Sequence, residues 1–316
     1  MPNQSGITRG CSIAVSGSNV HVAWWQSAQS HISMTTSSDR GATFAAAPCC
    51  DWRTFPDPND PNQCGTRPAC TFVMAANPPP LFLNDCGTGT ETGRNLITAD
   101  PSGTVHAIRN WPLPYLAADV LDPNIIYVVA DDYSGTNSNI LFARSTNGGS
   151  SWNSASVLND DGGTSHQYFP RIATHVTSDS PPKSKLFTIW YDRRRDPNNF
   201  HYDVQYRVSV TQGVSWHSSL QLSDNSAPIP LPRTNRACCN QGVCSLINCN
   251  SIADCPQDYD ECKLPALAPA NLCFFGDYNT VVKVPTRPEF FQAIWADSRS
   301  VIAGERDSDI RSVGGC

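Results

Sequence analysis

An eight-residue pattern, Ser-x-[Asp/Asn/Thr]-x-Gly-x-[Thr/Ser]-[Trp/Phe], occurs three times in this chain of 316 residues. The first copy carries Ser37, Asp39, Gly41, Thr43 and Phe44. The second carries Ser145, Asn147, Gly149, Ser151 and Trp152, and the third Ser209, Thr211, Gly213, Ser215 and Trp216. Each residue type has a local job. The short polar side chain at the third position caps turn amides. The glycine supplies a positive φ. The closing aromatic folds back onto a core. Each copy follows a β-rich run, so the pattern predicts one hairpin turn used repeatedly, and hence one sheet used repeatedly.

The rest of the chain fits that expectation. Short alternating runs bounded by turn residues dominate, and no sustained helical periodicity appears, which excludes a helical bundle. Five unequal multi-strand units can be traced. They are 11–17, 19–26 and 31–36; 95–100 and 104–110; 115–120, 125–132 and 140–145; 171–176, 185–192 and 202–210; and 277–284, 289–297 and 309–313. Five copies of one unit predict radial repetition in a single all-β domain over residues 1–316, a propeller rather than an irregular sandwich. The patterns start at 37, 145 and 209, so their spacings of 108 and 64 residues predict two blade steps and then one. Two stretches, 49–86 and 238–273, break the rhythm and are rich in Cys; they predict loop insertions held by crosslinks rather than by cores of their own.

There are 14 cysteines: Cys11, Cys49, Cys50, Cys64, Cys70, Cys86, Cys238, Cys239, Cys244, Cys249, Cys255, Cys262, Cys273 and Cys316. Thiols at this density persist as disulfides outside a reducing cytosol, so a secreted or cell-surface protein is expected. Pairing is expected within each insertion, with Cys11 and Cys316 clasping the chain ends. Met1–Ser5 lacks the charged and apolar regions of a leader, so the expectation is either a numbering that starts on a processed or truncated chain or an upstream sequence that is not known. With 22 basic against 28 acidic residues, the balance argues against nucleic acid as a partner. No run is long and apolar enough to insert into a membrane.

The repeated octapeptide resembles the Asp-box, or BNR repeat, of the sialidase (neuraminidase) superfamily. That resemblance implies a sialidase-like β-propeller of six blades, against the five units visible in the sequence, with the Asp-boxes as structural residues at the blade periphery. A second repeat closes apolar strands: Trp190-x-Asp192-x-Arg194 and Trp295-x-Asp297-x-Arg299. This ending is similar to that of uncharacterised secreted bacterial BNR-repeat proteins. Asp and Arg two apart on a strand share a side, so Asp192, Arg194, Asp297 and Arg299 are expected to lock blade junctions. In active sialidases the resemblance implies an arginine triad, a Tyr/Glu nucleophilic pair and an Asp acid. Here the nearest string is Phe169-Pro170-Arg171-Ile172, Arg9 alone precedes Cys11, and no Tyr/Glu pair can be assigned among the four glutamates.

No catalytic residue is therefore assigned from sequence. The expectation is a non-catalytic extracellular structural or adhesion propeller, self-assembling through terminal arms with copies of itself as partners. The alternative is an exo-acting, sialidase-type glycoside hydrolase or a glycan-binding, lectin-like propeller. Asp131, Asp132, Asn137 and Asn139 form an oxygen-rich turn of the kind that holds calcium.

Overall fold

The computed structural model describes residues 8–26, 30–44, 46–47, 67–68, 71–79, 81–82, 93–99, 105–162, 165–198, 201–228, 237–240, 243–248, 252–257, 260–263, 279–287, 290–297, 301–302, 305–306 and 309–315. Among them, regular structure is β apart from one 3-10 turn, Ile252–Asp254.

Four antiparallel sheets form the body. The first takes Thr8–Ser16, Asn19–Gln26, His31–Ser37 and Thr71–Ala75 in that order. The second takes Tyr115–Ala118, Ile126–Tyr133, Ser138–Ser145 and Ser156–Val157. The third takes Gln167–Val176, Ser184–Asp192, His201–Ser209 and Leu220–Gln221. The fourth takes Thr280–Lys283, Phe291–Asp297 and Asp309–Gly315. Strand ends differ from the sequence-based limits by a few residues at most. Thr71–Ala75 corrects one boundary: it lies inside the expected 49–86 insertion yet pairs with His31–Met34 as the outer strand of the first sheet. In the other insertion, Ala237–Asn240 pairs with both Val243–Asn248 and Glu261–Lys263, which sets Cys239 opposite Cys244 and Cys238 opposite Cys262.

The four sheets stack face to face in chain order, and strand alternation sends each sheet's two faces to two different cores. In Ile126–Tyr133, Ile126, Val128 and Ala130 pack with Trp25, Ile32 and Met34 of the first sheet. Tyr127 and Val129 pack instead with Ile172, Leu186 and Trp190 of the third. Phe187, Ile189 and Tyr191 continue to Phe291, Ala293 and Trp295 of the fourth. Polar stitches hold the junctions. Leu116 N–H donates to Ser12 Oγ at 2.9 Å, Ser184 Oγ to Asp119 Oδ1 at 2.6 Å, and Asn279 Nδ2 to the Phe169 carbonyl at 2.6 Å. The first and second sheets therefore touch directly. Within the 108-residue interval the strands Leu81–Phe82, Gly93–Ala99 and Val105–Arg109 pair as a further sheet, which includes the second expected unit.

The three octapeptides fold alike. In each, the serine hydroxyl accepts the glycine N–H at 2.9 Å: Gly41 to Ser37, Gly149 to Ser145 and Gly213 to Ser209. The third residue accepts the amide four residues on: Thr43 to Asp39 at 2.8 Å, Ser151 to Asn147 at 2.9 Å and Ser215 to Thr211 at 2.9 Å. The Ser37 and Thr43 hydrogen bonds hold the Asp39 carboxyl down at about 2. The glycines have φ of +86°, +86° and +77°. Two of them also seat the turn on the preceding sheet. A Cβ on Gly149 would lie 2.0 Å from Met34 Cε, and one on Gly213 would lie 2.4 Å from Phe142 Cζ. Trp216 adds an edge-to-face contact with Phe142 at 5.1 Å. At Gly41 the nearest atom would be Val20 Cγ2 at 3.8 Å.

This contrast is testable. Gly41→Ala meets only the backbone penalty of a positive φ, about 1 kcal/mol. Gly213→Ala adds a collision with a buried ring and is expected to cost about 2–4 kcal/mol. Urea unfolding of the two variants measures the difference; equal losses would contradict the seating of the turn on Phe142.

Candidate functional site

The second strands of the second, third and fourth sheets end in Asp131-Asp132, Asp192 and Asp297. The residues expected to act at these ends divide into those the fold uses as fasteners and those it leaves unpaired.

Asp192 and Arg194 are fasteners. Asp192 is fully buried and accepts Trp190 Nε1–H at 2.8 Å. Arg194 grips it with Nε at 2.9 Å and Nη2 at 2.7 Å. Arg194 Nη1 reaches Asp160 Oδ1 and Ser219 Oγ, each at 2.8 Å, so this side chain ties the segment leaving the second sheet to the outer part of the third. Burial works to raise the Asp160 carboxyl, but the Ser219 and Arg194 hydrogen bonds outweigh it and bring it to about 2. Asp297 is buried, and Arg299 lies outside the described residues.

Asp131 and Asp132 point to opposite faces of their strand, as neighbours on a strand must. Asp132 Oδ1 accepts the Asn77 backbone N–H at 2.8 Å and Asn77 Nδ2 at 3.0 Å. Asn137 Oδ1 accepts the Ser134 hydroxyl at 2.7 Å, and Asn139 Oδ1 accepts Asn159 Nδ2 at 3.1 Å. Asp132, Asn137 and Asn139 of the expected calcium turn thus serve hydrogen bonds within the fold, and Asp131 lies on the opposite face of the strand from Asp132. Among the described residues, no group of three or more His, Cys, Asp or Glu side chains could hold a metal.

Asp131 itself faces the third sheet and is 2% exposed. It looks toward the Phe169 N–H and the Asn110 amide, yet neither Oδ1 nor Oδ2 completes a hydrogen bond. Burial pushes its carboxyl up to about 8; the Phe169 N–H, the Asn110 amide and the Arg171 charge only partly offset it. The acid is therefore neutral at pH 7, a proton donor inside the protein.

Opposite it, the first strand of the third sheet is distorted. Its register shifts between Tyr168 and Arg171, and Phe169 has φ of +53°, a rare conformation for a bulky residue. Bulges of this kind re-aim side chains beside functional sites. Here the bulge carries Tyr168, Pro170 and Arg171. Arg171 lies over the Tyr115 ring at 3.5 Å and donates to the Pro170 carbonyl at 2.8 Å. Tyr168 is fully buried, stacks on Tyr191 at 5.5 Å, and has its hydroxyl raised by burial.

Arg193 completes the cluster. It is fully buried, its guanidinium lies 5.1 Å from the Tyr168 ring centre, and none of its three side-chain nitrogens has a protein hydrogen-bond partner. A buried cation left this way is exceptional, because such groups normally pair. Sequence reasoning selected Arg194 and missed Arg193. The available signal was the Arg193-Arg194-Arg195 run just beyond the strand end at Asp192. Arg9 stands on the first strand with its guanidinium 4.1 Å from the Trp111 ring centre, next in sequence to Asn110. Of the arginines weighed from sequence, Arg171 lies close enough to Asp131 for its charge to favour the carboxylate, and Arg9 packs on Trp111, next to Asn110.

The cysteines require one correction. Cys11 is a free, exposed thiol in the bulge between Arg9 and Ser12, which removes it from the expected clasp. Cys255 is disulfide-bonded. Cys238, Cys239, Cys244 and Cys262 are described by backbone alone, and Cys49, Cys50, Cys64, Cys70, Cys86, Cys249, Cys273 and Cys316 lie outside the described residues. Of the expected terminal arm, residues 1–10, Thr8–Gly10 belong to the strand Thr8–Ser16, which pairs with Asn19–Gln26 of the same chain, and residues 1–7 lie outside the described residues.

The three Asp-box turns, folded alike and each opening from the third strand of a sheet, decide what the chain resembles. It is similar to the sialidase-like Asp-box propellers. No family model matches the chain, and no curated protein matches it. Among solved structures it is similar to the Hadza microbial sialidase Hz136, at 12% identity and TM-score 0.41, over 97% of this chain and 44% of that one. It is similar to the GH93 α-L-arabinofuranosidase of Fusarium graminearum at 9% and 0.39, over 98% and 61%. It is similar to the α-L-arabinanase of Penicillium chrysogenum at 8% and 0.40, over 97% and 63%. The chain spans less than two thirds of the length of each. All three are named as enzymes, and the expectation of a non-catalytic structural or adhesion module is not carried further.

Asp131 gives the site a pH signature. Its folded-state pKa of about 8 lies above the ordinary 3.8, so the folded state binds the extra proton between those values. Stability is expected to fall as pH rises from about 4 to about 8. The melting temperature should drop across that window in the wild type and stay flatter in Asp131→Asn. Identical slopes would contradict the buried neutral acid.

Proposed function

We propose that this protein is a glycan-directed enzyme that hydrolyses a glycosidic bond at the Asp131–Tyr168–Arg193 cluster. The supporting observation is the pairing of a carboxyl group kept neutral by burial with a buried, unpaired guanidinium. Glycoside hydrolysis needs an acid that still holds its proton near neutral pH to protonate the departing oxygen. Asp131 has that property. Arg193 and Arg171 supply positive charge for a carboxylate-bearing sugar, and the Tyr168 hydroxyl feels the charges of both Arg193 and Asp131. The named activities of the similar structures, a sialidase, an arabinofuranosidase and an arabinanase, fall in the same reaction class. The architecture that goes with this proposal is a six-bladed ring with disulfide-held Cys-rich insertions, working outside the cytosol. Glycans are its partners.

Turnover of a panel of fluorogenic sialosides and arabinofuranosides tests it. Asp131→Asn is expected to lower kcat by about 10²–10⁴. Arg193→Met is expected to raise KM more for the acidic sugar than for the neutral one. Absence of turnover on the whole panel, or full activity in Asp131→Asn, would overturn the assignment.

A further inference from the structure

A concave surface lies away from that cluster, on the other face of the Asp131–Asp132 strand end. The outer strand of the first sheet, Thr71–Ala75, and the turn 150–155 that carries the second Asp-box tryptophan form the walls of an open groove of about 620 Å³. Its size is in the range of small-ligand sites. Two aromatic side chains reach it. Phe72 is 59% exposed and is held edge-on by His31 at 5.3 Å, while Trp152 is half-buried against the core. Between them stand Asn77, Asp132, Ser151 and Asn153. The two hydrogen bonds from Asn77 to Asp132 Oδ1 fix that pair and leave Asp132 Oδ2 and Asn77 Oδ1 as acceptors. Asn153 is fixed likewise, its Oδ1 accepting the Arg144 N–H at 2.5 Å, which leaves its Nδ2–H₂ group as a donor.

We infer that this groove is a second carbohydrate site, for a neutral hexose unit, separate from the Asp131 cluster. A pyranose presents an apolar C–H face, which packs flat on an aromatic ring, and a rim of hydroxyls that both donate and accept. An exposed ring beside prefixed carboxylate and amide groups matches both. Charge selects the class of sugar. Among the described lining residues Asp132 carries the only charge, so an acidic sugar is repelled here, whereas the arginines of the first cluster attract one. The groove would hold a neutral part of a chain without cleaving it, since no second acid faces Asp132 across it.

Titration calorimetry with lactose and cellobiose as neutral probes and 3′-sialyllactose as the acidic one tests this on the intact protein. The neutral disaccharides should bind in the millimolar range, and 3′-sialyllactose should not compete for the groove. Phe72→Ala removes a mostly exposed ring and should weaken neutral binding at least tenfold, with Phe72→Tyr restoring it. Asp131→Asn should leave it unchanged, which separates this site from the proposed catalytic one. Loss of neutral binding in Asp131→Asn, unchanged binding in Phe72→Ala, no saturation by either neutral disaccharide up to about 10 mM, or capture of an extended peptide along Thr71–Ala75 in place of sugar would overturn the inference.

Discussion

Two sheet junctions, first to second and second to third, are each closed by a turn whose glycine sits against the preceding sheet. Gly149 lies on Met34 and Gly213 on Phe142 at distances that leave no room for a Cβ. The serine and the capping residue bond to amides inside the same turn, so the turn is rigid before it docks. That rigidity sets the offset between consecutive sheets, and the offset brings three strand ends together. The buried polar groups at those ends depend on it. The third sheet's box, through Gly213 on Phe142, seats that sheet against the face of the second sheet on which Asp131 lies.

At the strand ends, closely similar sequence endings meet different fates. Asp192 is closed off by Arg194 and Trp190, which together give it a full set of donors. Asp131 has no such partner, and the bulge at Phe169 brings a backbone N–H toward it without completing a bond. One carboxyl group is thereby closed into a structural pair, the other kept as an acid. The unpaired guanidinium of Arg193, one residue beyond the paired Asp192, extends the same division between fastening and chemistry.

The sequence made the local features legible. Strand positions followed from alternation and turn residues, and the Asp-box turns from residue types whose hydrogen bonds close within four positions. Sheet adjacency was not legible, because the 108-residue interval hides Thr71–Ala75, a first-sheet strand, inside a segment that reads as insertion. The functional cluster was legible only in fragments. Asp131 appeared as a ligand of an oxygen-rich turn, since nothing local tells which of two adjacent aspartates faces a neighbouring sheet. Arg193 was passed over for Arg194 because an Asp-x-Arg pair is visible on a strand, whereas an unpaired arginine is defined by what the rest of the fold withholds. Cys11 looked like half of a clasp, but its bulge leaves it free and exposed.

The state of the Asp131 proton carries the central claim, and infrared difference spectroscopy reads it directly. Spectra of the wild type minus Asp131→Asn, recorded from pH 5 to pH 9, isolate this one carboxyl. A protonated C=O band that persists through neutral pH and gives way to carboxylate near pH 8 is the predicted result. A carboxylate signal already complete at pH 5 would contradict the account.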